Sequence, residues 1–200
     1  CVVRLDEAPE SLDALAGLEV RVHPLDALDY EEAWSAALRP HAVGPLWIVP
    51  PRASAPPGAD LVVALAETGV AFGSGLHPTT RMCLEHMVAA GPAVSTLDVG
   101  TGTGILGLVA LALGGDRAVG TELDPEARRV AEANARHAGL PLVVLGDDAL
   151  YTLEERFDLV VANVLGPELI ALAPAIVRRL NSGATLLLSG VRPDIEQEVA

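Results

Sequence analysis

Aromatic side chains are scarce in this chain: two Trp, two Tyr and two Phe among 200 residues. Its core must therefore be packed by aliphatic side chains, chiefly Ala, Val and Leu. Cysteine is almost missing as well. Cys1 and Cys83 are too few for a disulfide framework, and Cys83 lies in an expected helix, where packing is its simplest role. Positive charge is in short supply, 13 basic against 27 acidic residues for a net charge of −14. That balance argues against direct nucleic-acid binding, because phosphates would be repelled. It suits a basic protein or cationic substrate, although solubility explains it equally well. No uninterrupted apolar run reaches about 18 residues and no signal peptide is visible, so the expectation is a cytoplasmic protein with no membrane segment. The histidines at 23, 41, 77, 86 and 137 lack ligand spacing and partner cysteines, so no metal site is expected.

What the chain does have is a hydrophobic half, enough for one domain or one domain plus a small appendage. Its organising stretch runs from Thr96 to Gly104. The apolar run Thr96-Leu97-Asp98-Val99 ends in the alternating glycines Gly100, Gly102 and Gly104, and Ile105–Leu113 follows, apolar on every face. This reads as strand, tight loop and buried helix. Such a loop aims unpaired helix N–H groups at a ligand above it. The loop pattern is ambiguous taken alone. Gly102-Thr103-Gly104-Ile105-Leu106-Gly107 satisfies the dinucleotide fingerprint, whereas Asp98 with Gly100, Gly102 and Gly104 gives the Asp-x-Gly-x-Gly-x-Gly pattern of S-adenosylmethionine-dependent methyltransferases. Both want an acid at the next strand end for ribose hydroxyls, and Glu122 stands 20 residues past Gly102.

In chain order, residues 1–28 hold little beyond a strand expected at Glu19–Val22. Asp29–Leu38 reads as a helix, Leu46–Val49 as a strand, Pro50–Gly58 as an extended connector and Asp60–Ala66 as a strand. A Gly-rich turn then leads to a helix over Arg81–Ala89, capped by Thr79 or Thr80. Beyond the central loop, Arg117–Glu122 is a second strand. Asp124 and Pro125 open a helix that Gly139 ends. Leu142–Leu145, Phe157–Ala162 and Ala184–Ser189 complete five strands. Pro167 opens a helix that Pro174 should bend or split. The alternation implies an α/β fold with a doubly wound, mostly parallel sheet. Ligands in such sheets bind beyond the carboxyl ends of strands, where Asp98, Glu122, Asp147 and Asn163 stand one per strand. The expected division is 1–58 as an N-terminal remnant and linker, with one helix and a short strand, and 59–200 as the cofactor-binding domain. The chain begins at Cys1 rather than Met, as a fragment or processed form would, and Pro193 is placed to open a last helix.

With those residues identified, the chain closely resembles the ribosomal protein L11 methyltransferase family over about Tyr30 to Val191. Ala71-Phe72-Gly73-Ser74-Gly75-Leu76-His77-Pro78-Thr79-Thr80-Arg81 resembles the family's Ala-Phe-Gly-Thr-Gly-x-His-x-Thr-Thr-Arg, with Ser74 in place of Thr. Leu97–Leu106 resembles its cofactor loop, Gly120–Pro125 with Asn134 its acidic second-strand motif, and Val161–Leu165 its Val-Ala-Asn-Ile-Leu. The first segment is far more specific than the glycines and decides the loop against a dehydrogenase.

The resemblance implies a Rossmann-like class I methyltransferase fold, here truncated after strand five, with at most residues 1–25 left of the family's N-terminal recognition domain. It implies S-adenosyl-L-methionine as cofactor and methylation of amino groups, of lysine or an N-terminus, on a basic protein such as ribosomal protein L11. A non-catalytic cofactor-binding module or a small-molecule methyltransferase is the alternative. Gly100, Thr101 and Gly102 would meet the methionine part of the cofactor, Asp98 its amino group, Glu122 both ribose hydroxyls and Asp147 the adenine, with Thr80 also in contact. Asn163 would orient the amine. Phe72 and His77 would line the methyl-transfer side, with His77 a candidate base.

Overall fold

A computed structural model describes residues 2–4, 39–68, 73–146 and 148–190. The expected strand at Glu19–Val22, the helix at Asp29–Leu38, Phe72, Asp147 and the helix after Pro193 lie outside the described residues.

The main sheet has six strands: β1 (Val2–Arg4), β5 (Ser95–Val99), β6 (Arg117–Thr121), β7 (Val143–Leu145), β8 (Phe157–Asn163) and β9 (Leu180–Ser189). Their order across the sheet is β1-β9-β8-β5-β6-β7. All neighbours are parallel except β1, which runs antiparallel to β9. The five expected strands are therefore β5 to β9, with β1 added at an edge. A second sheet, β2-β3-β4, comprises β2 (His41–Val43), β3 (Leu46–Val49) and β4 (Leu61–Ala64). Because β3 pairs in parallel with β4, the boundary expected near residue 58 falls inside a sheet.

Alternation along the strands sorts the core into two layers. On one face, Leu159 and Val161 of β8 pack with α1 (Pro78–Ala90), α2 (Ile105–Ala112), α3 (Pro125–Ala138) and the small sheet. On the other, Leu97 and Val99 of β5 and Val160 and Ala162 of β8 meet α4 (Ala149–Thr152) and α5 (Gly166–Val177). Helix α3 buries Ala127, Val130, Ala131, Asn134 and Ala135, the one-face spacing of an amphipathic helix. Its ends follow the sequence: Asp124 Oδ1 accepts from Glu126 N at 2.9 Å, Pro125 takes the first turn, and Gly139 closes it at φ 67°.

Two expected details are corrected. Helix α1 starts at Pro78 with His77 as its N-cap, not at Arg81 behind a threonine cap. Proline is well suited to the first helical turn, where its missing N–H costs nothing, so the helix begins a turn earlier. Pro174 does not split α5, which continues to Val177. Leu169, Ala173, Ile176 and Val177 on both sides of the proline are buried, and that packing holds the helix together.

Candidate functional site

At the carboxyl ends of β5, β6 and β8 lies a cavity of about 830 Å³, within the range of small-molecule sites. Its floor is the loop after β5. The Gly100 and Thr101 amides both donate to Thr121 O, at 2.8 and 2.9 Å, which ties the loop to the tip of β6. Gly100 adopts φ +68°, and a Cβ there would sit 2.5 Å from Val164 Cγ1 on the opposite wall. Only glycine allows both that backbone angle and that approach.

Glu122 lines the cavity one residue past β6. Its Oε2 accepts from Gly102 N at 2.9 Å and its Oε1 from Asp124 N at 3.1 Å. Each carboxylate oxygen keeps further accepting capacity. Asn163, the last residue of β8, lines the far side. Its Nδ2 donates to Thr80 Oγ1 at 3.0 Å, and its Oδ1 accepts from Ser189 Oγ at 2.5 Å. His77 and Thr79 close the edge at the start of α1. The His77 Nδ1 faces the Thr79 amide at 3.4 Å and the Thr79 hydroxyl at 2.7 Å. An amide N–H only donates, so Nδ1 accepts and the neutral ring carries its proton on Nε2. Partial burial lowers the pKa of His77, which favours that neutral ring near pH 7.

Asp98 and Thr101 sit beneath the loop rather than along the cavity. Asp98 is 1% exposed, and its Oδ2 accepts from Thr101 Oγ1 at 2.5 Å and from Gly107 N, in the first turn of α2, at 3.1 Å. Burial pushes its carboxyl up to about 6, against the pull of those two donors. Thr80 is likewise buried, held against Asn163. Of the strand-tip residues singled out in the sequence, the fold brings Glu122 and Asn163 to one cavity with Gly100, Gly102 and His77. Asp98, Thr80 and Thr101 stand behind it as supports.

Sequence reasoning did not find the rest of the wall. Leu150 and Tyr151 come from α4, Leu165, Glu168 and Leu172 from the β8–α5 connection and α5 itself, and Gly190 from the end of β9. Apart from Leu165, which ends the Val161–Leu165 segment, these positions lack a motif. The one available signal was their place just after a strand end, where open α/β sheets bind ligands. Leu123, Tyr151 and Leu165 are exposed apolar residues around the opening. Glu122, Asp124 and Glu168 make the described lining acidic, with no Lys or Arg among it.

Asn134 supports the loop from α3. It is fully buried, and its Oδ1 accepts from Ala66 N (2.8 Å) and Glu67 N (2.9 Å). Its Nδ2 donates to Glu67 O and Thr103 O, both at 2.9 Å. Thr103 Oγ1 in turn donates to Gly73 O at 2.6 Å. One side chain thus joins α3, the segment after β4 and the glycine loop. Among the described residues no group of His, Cys, Asp and Glu is placed to hold a metal ion, and no helix is long and apolar enough to cross a membrane. Cys83 is buried and its thiol is pushed up to about 11 by desolvation, so it stays protonated.

Comparison with known proteins is consistent with this geometry. A family model described as ribosomal protein L11 methyltransferase (PrmA) matches residues 2–200. The ribosomal protein L11 methyltransferase of Pelobacter propionicus is 38% identical over 98% of this chain and 68% of its own length. That of Geotalea uraniireducens is 37% identical over 93% of this chain and 65% of its own. The crystal structure of ribosomal protein L11 methylase from Lactobacillus delbrueckii subsp. bulgaricus superposes with a TM-score of 0.69 at 31% identity, covering 80% of this chain and 86% of that one. The chain spans about two thirds of the length of those two curated relatives.

Proposed function

This chain belongs to the ribosomal protein L11 methyltransferase family, and from that premise we propose that it binds S-adenosyl-L-methionine and methylates amino groups of ribosomal protein L11. The observation that carries the reading is the Gly100–Gly102 loop held against the Glu122 carboxylate at the floor of an 830 Å³ cavity. The residues present fit the cofactor. A strand-tip carboxylate has spare lone pairs for two ribose hydroxyls, and a loop that tolerates no Cβ at Gly100 leaves backbone bare for close approach. When bound, that cofactor supplies a methyl carbon activated by its sulfonium.

The chain's own residues bind and orient. Gly100 and Gly102 present backbone to the methionine part, and Glu122 accepts from the ribose. Asp98 and Thr101 act from below by keeping the loop in place, and Thr80 acts through Asn163. To Asp147 and Phe72, which lie outside the described residues, the family resemblance gives the adenine and the methyl-transfer side. The Asn163 carbonyl accepts an N–H of the incoming amine and so aims its lone pair into the cavity. That amine must be uncharged to attack; the acidic lining of Glu122, Asp124 and Glu168 draws it in as a cation, and its proton leaves before transfer. His77 is not the base, because its Nδ1 lone pair is committed to the cap of α1. A net charge of −14 suits a basic protein acceptor rather than nucleic acid, and a ribosomal acceptor implies work in the cytoplasm.

The test is incubation with methyl-labelled cofactor and unmethylated ribosomal protein L11, read by mass spectrometry, beside calorimetry with the cofactor and with NAD. All thirteen basic residues of this chain are arginine, so label on lysine reports the acceptor and not self-modification. The expected result is labelled amino groups on L11, binding of the S-adenosyl ligand and none of NAD. Glu122→Ala should weaken that binding by roughly 1–3 kcal/mol, the range for a lost polar partner in a buried site. Binding of NAD without the S-adenosyl ligand would refute the proposal.

A further inference from the structure

We propose that Ser189 is a positioning residue for methyl transfer: its hydroxyl holds the Asn163 amide in place with carbonyl capacity left for the substrate amine. The inference rests on the role given to Asn163 above and adds a residue to it. Asn163 and Ser189 are the last residues of β8 and β9 and are direct partners in the parallel register. Their side chains emerge side by side, yet only Asn163 lines the cavity, while Ser189 is 3% exposed behind it.

An asparagine amide has two nearly isosteric orientations, and only one offers an acceptor where the other offers N–H. For an enzyme that must seat an uncharged amine, one orientation accepts its N–H and leaves the lone pair free, whereas the other would donate to the lone pair that attacks. In this structure Ser189 Oγ donates to Oδ1 and Nδ2 donates to Thr80 Oγ1. Those bonds use one of two carbonyl lone pairs and one of two amide hydrogens, which leaves one of each. Ser189 thus anchors the carbonyl end of the amide while Thr80 anchors its nitrogen end, and donors and acceptors run in one sense from Ser189 through Asn163 to Thr80.

The experiment compares Ser189→Ala, Ser189→Thr, Asn163→Ala and the Ser189→Ala/Asn163→Ala double variant in the full-length protein. It measures kcat and KM for ribosomal protein L11, cofactor affinity by calorimetry, and the Asn163 side-chain amide signals by NMR in the ligand-free protein. Loss of one buried hydrogen bond should lower kcat about tenfold in Ser189→Ala. KM and cofactor affinity should stay within about twofold, since Ser189 lies behind the cavity and touches neither ligand. Ser189→Thr, which keeps the hydroxyl, should restore most of the rate. The double variant should be no slower than Asn163→Ala, because a residue that acts only through Asn163 has nothing left to position. The Asn163 amide should give a single pair of signals in the native protein and a doubled or broadened set in Ser189→Ala. Native kcat and unchanged signals in Ser189→Ala, beside a slow Asn163→Ala, overturn this inference alone, as does a double variant slowed by the full extra factor. A native rate in Asn163→Ala overturns the assignment of Asn163, and this inference with it.

Discussion

Replacing Asn134 by Ala should be among the most damaging single changes to the described fold. Four hydrogen bonds end on this side chain, and it is fully buried. Its loss strands the N–H groups of Ala66 and Glu67 and the carbonyls of Glu67 and Thr103. A buried group left without a partner costs about 1–3 kcal/mol, and water entering the vacated space recovers part of that. A total of about 3–5 kcal/mol follows, a large fraction of the stability of an ordinary domain. Urea unfolding reads it directly: the midpoint should fall while the slope against denaturant stays the same. Asn134→Asp sharpens the test. A carboxylate still accepts from Ala66 and Glu67 but repels the two carbonyls that Nδ2 now serves. That variant should be at least as unstable at neutral pH and should recover as the pH falls, when the protonated acid regains a donor. A loss below about 1 kcal/mol in Asn134→Ala, or an Asp variant that is stable at pH 7 and insensitive to pH, would refute the idea that this side chain holds three segments together.

The Asp98 carboxyl titrates at about 6 in the fold against 3.8 unfolded, so the native state holds its proton more tightly. Stability from this group is therefore greatest below pH 4 and declines by about 3 kcal/mol as pH rises through 6. The exposed-side carboxylate of Asp158, lowered mainly by its bond from Ser95, acts with the opposite sign and only near or below pH 4. Subtracting an Asp98→Asn variant isolates the effect, and a difference that stays flat between pH 4 and 7 would show the assigned burial to be wrong. Gly100→Ala should cost roughly 1–3 kcal/mol from the positive φ alone, and displacement of Val164 should weaken the S-adenosyl ligand at least tenfold. Adding Val164→Ala should restore part of the binding and none of the backbone strain. Equal affinity in Gly100→Ala and the native chain would mean the loop does not approach the ligand.

Local chemistry was legible in the sequence because it depends on neighbours along the chain. The Asp124-Pro125 start and Gly139 end of α3 follow from capping, the five strands β5 to β9 from apolar runs of strand length, and the loop at Gly100, Gly102 and Gly104 from backbone angles that other residues resist. The motif around His77 likewise marked the edge of the site, although the proline at 78 moved the helix start onto His77 itself. Which polar residues reach the ligand was a different matter. Asp98 and Glu122 look alike as acids at strand ends, yet one accepts from Thr101 and Gly107 in a closed interior and the other borders open space. Side-chain direction alternates along a strand and burial depends on what packs above it, so only the assembled layers separate support from lining. The same holds for Ser189 and Asn134, ordinary residues in the chain. Ser189 meets a partner 26 positions away and Asn134 one 68 positions away, and neither pair exists until the sheet and its helices are assembled. Linear order determined the elements; the register of β8 against β9 and the docking of α3 and α1 decided which atoms meet.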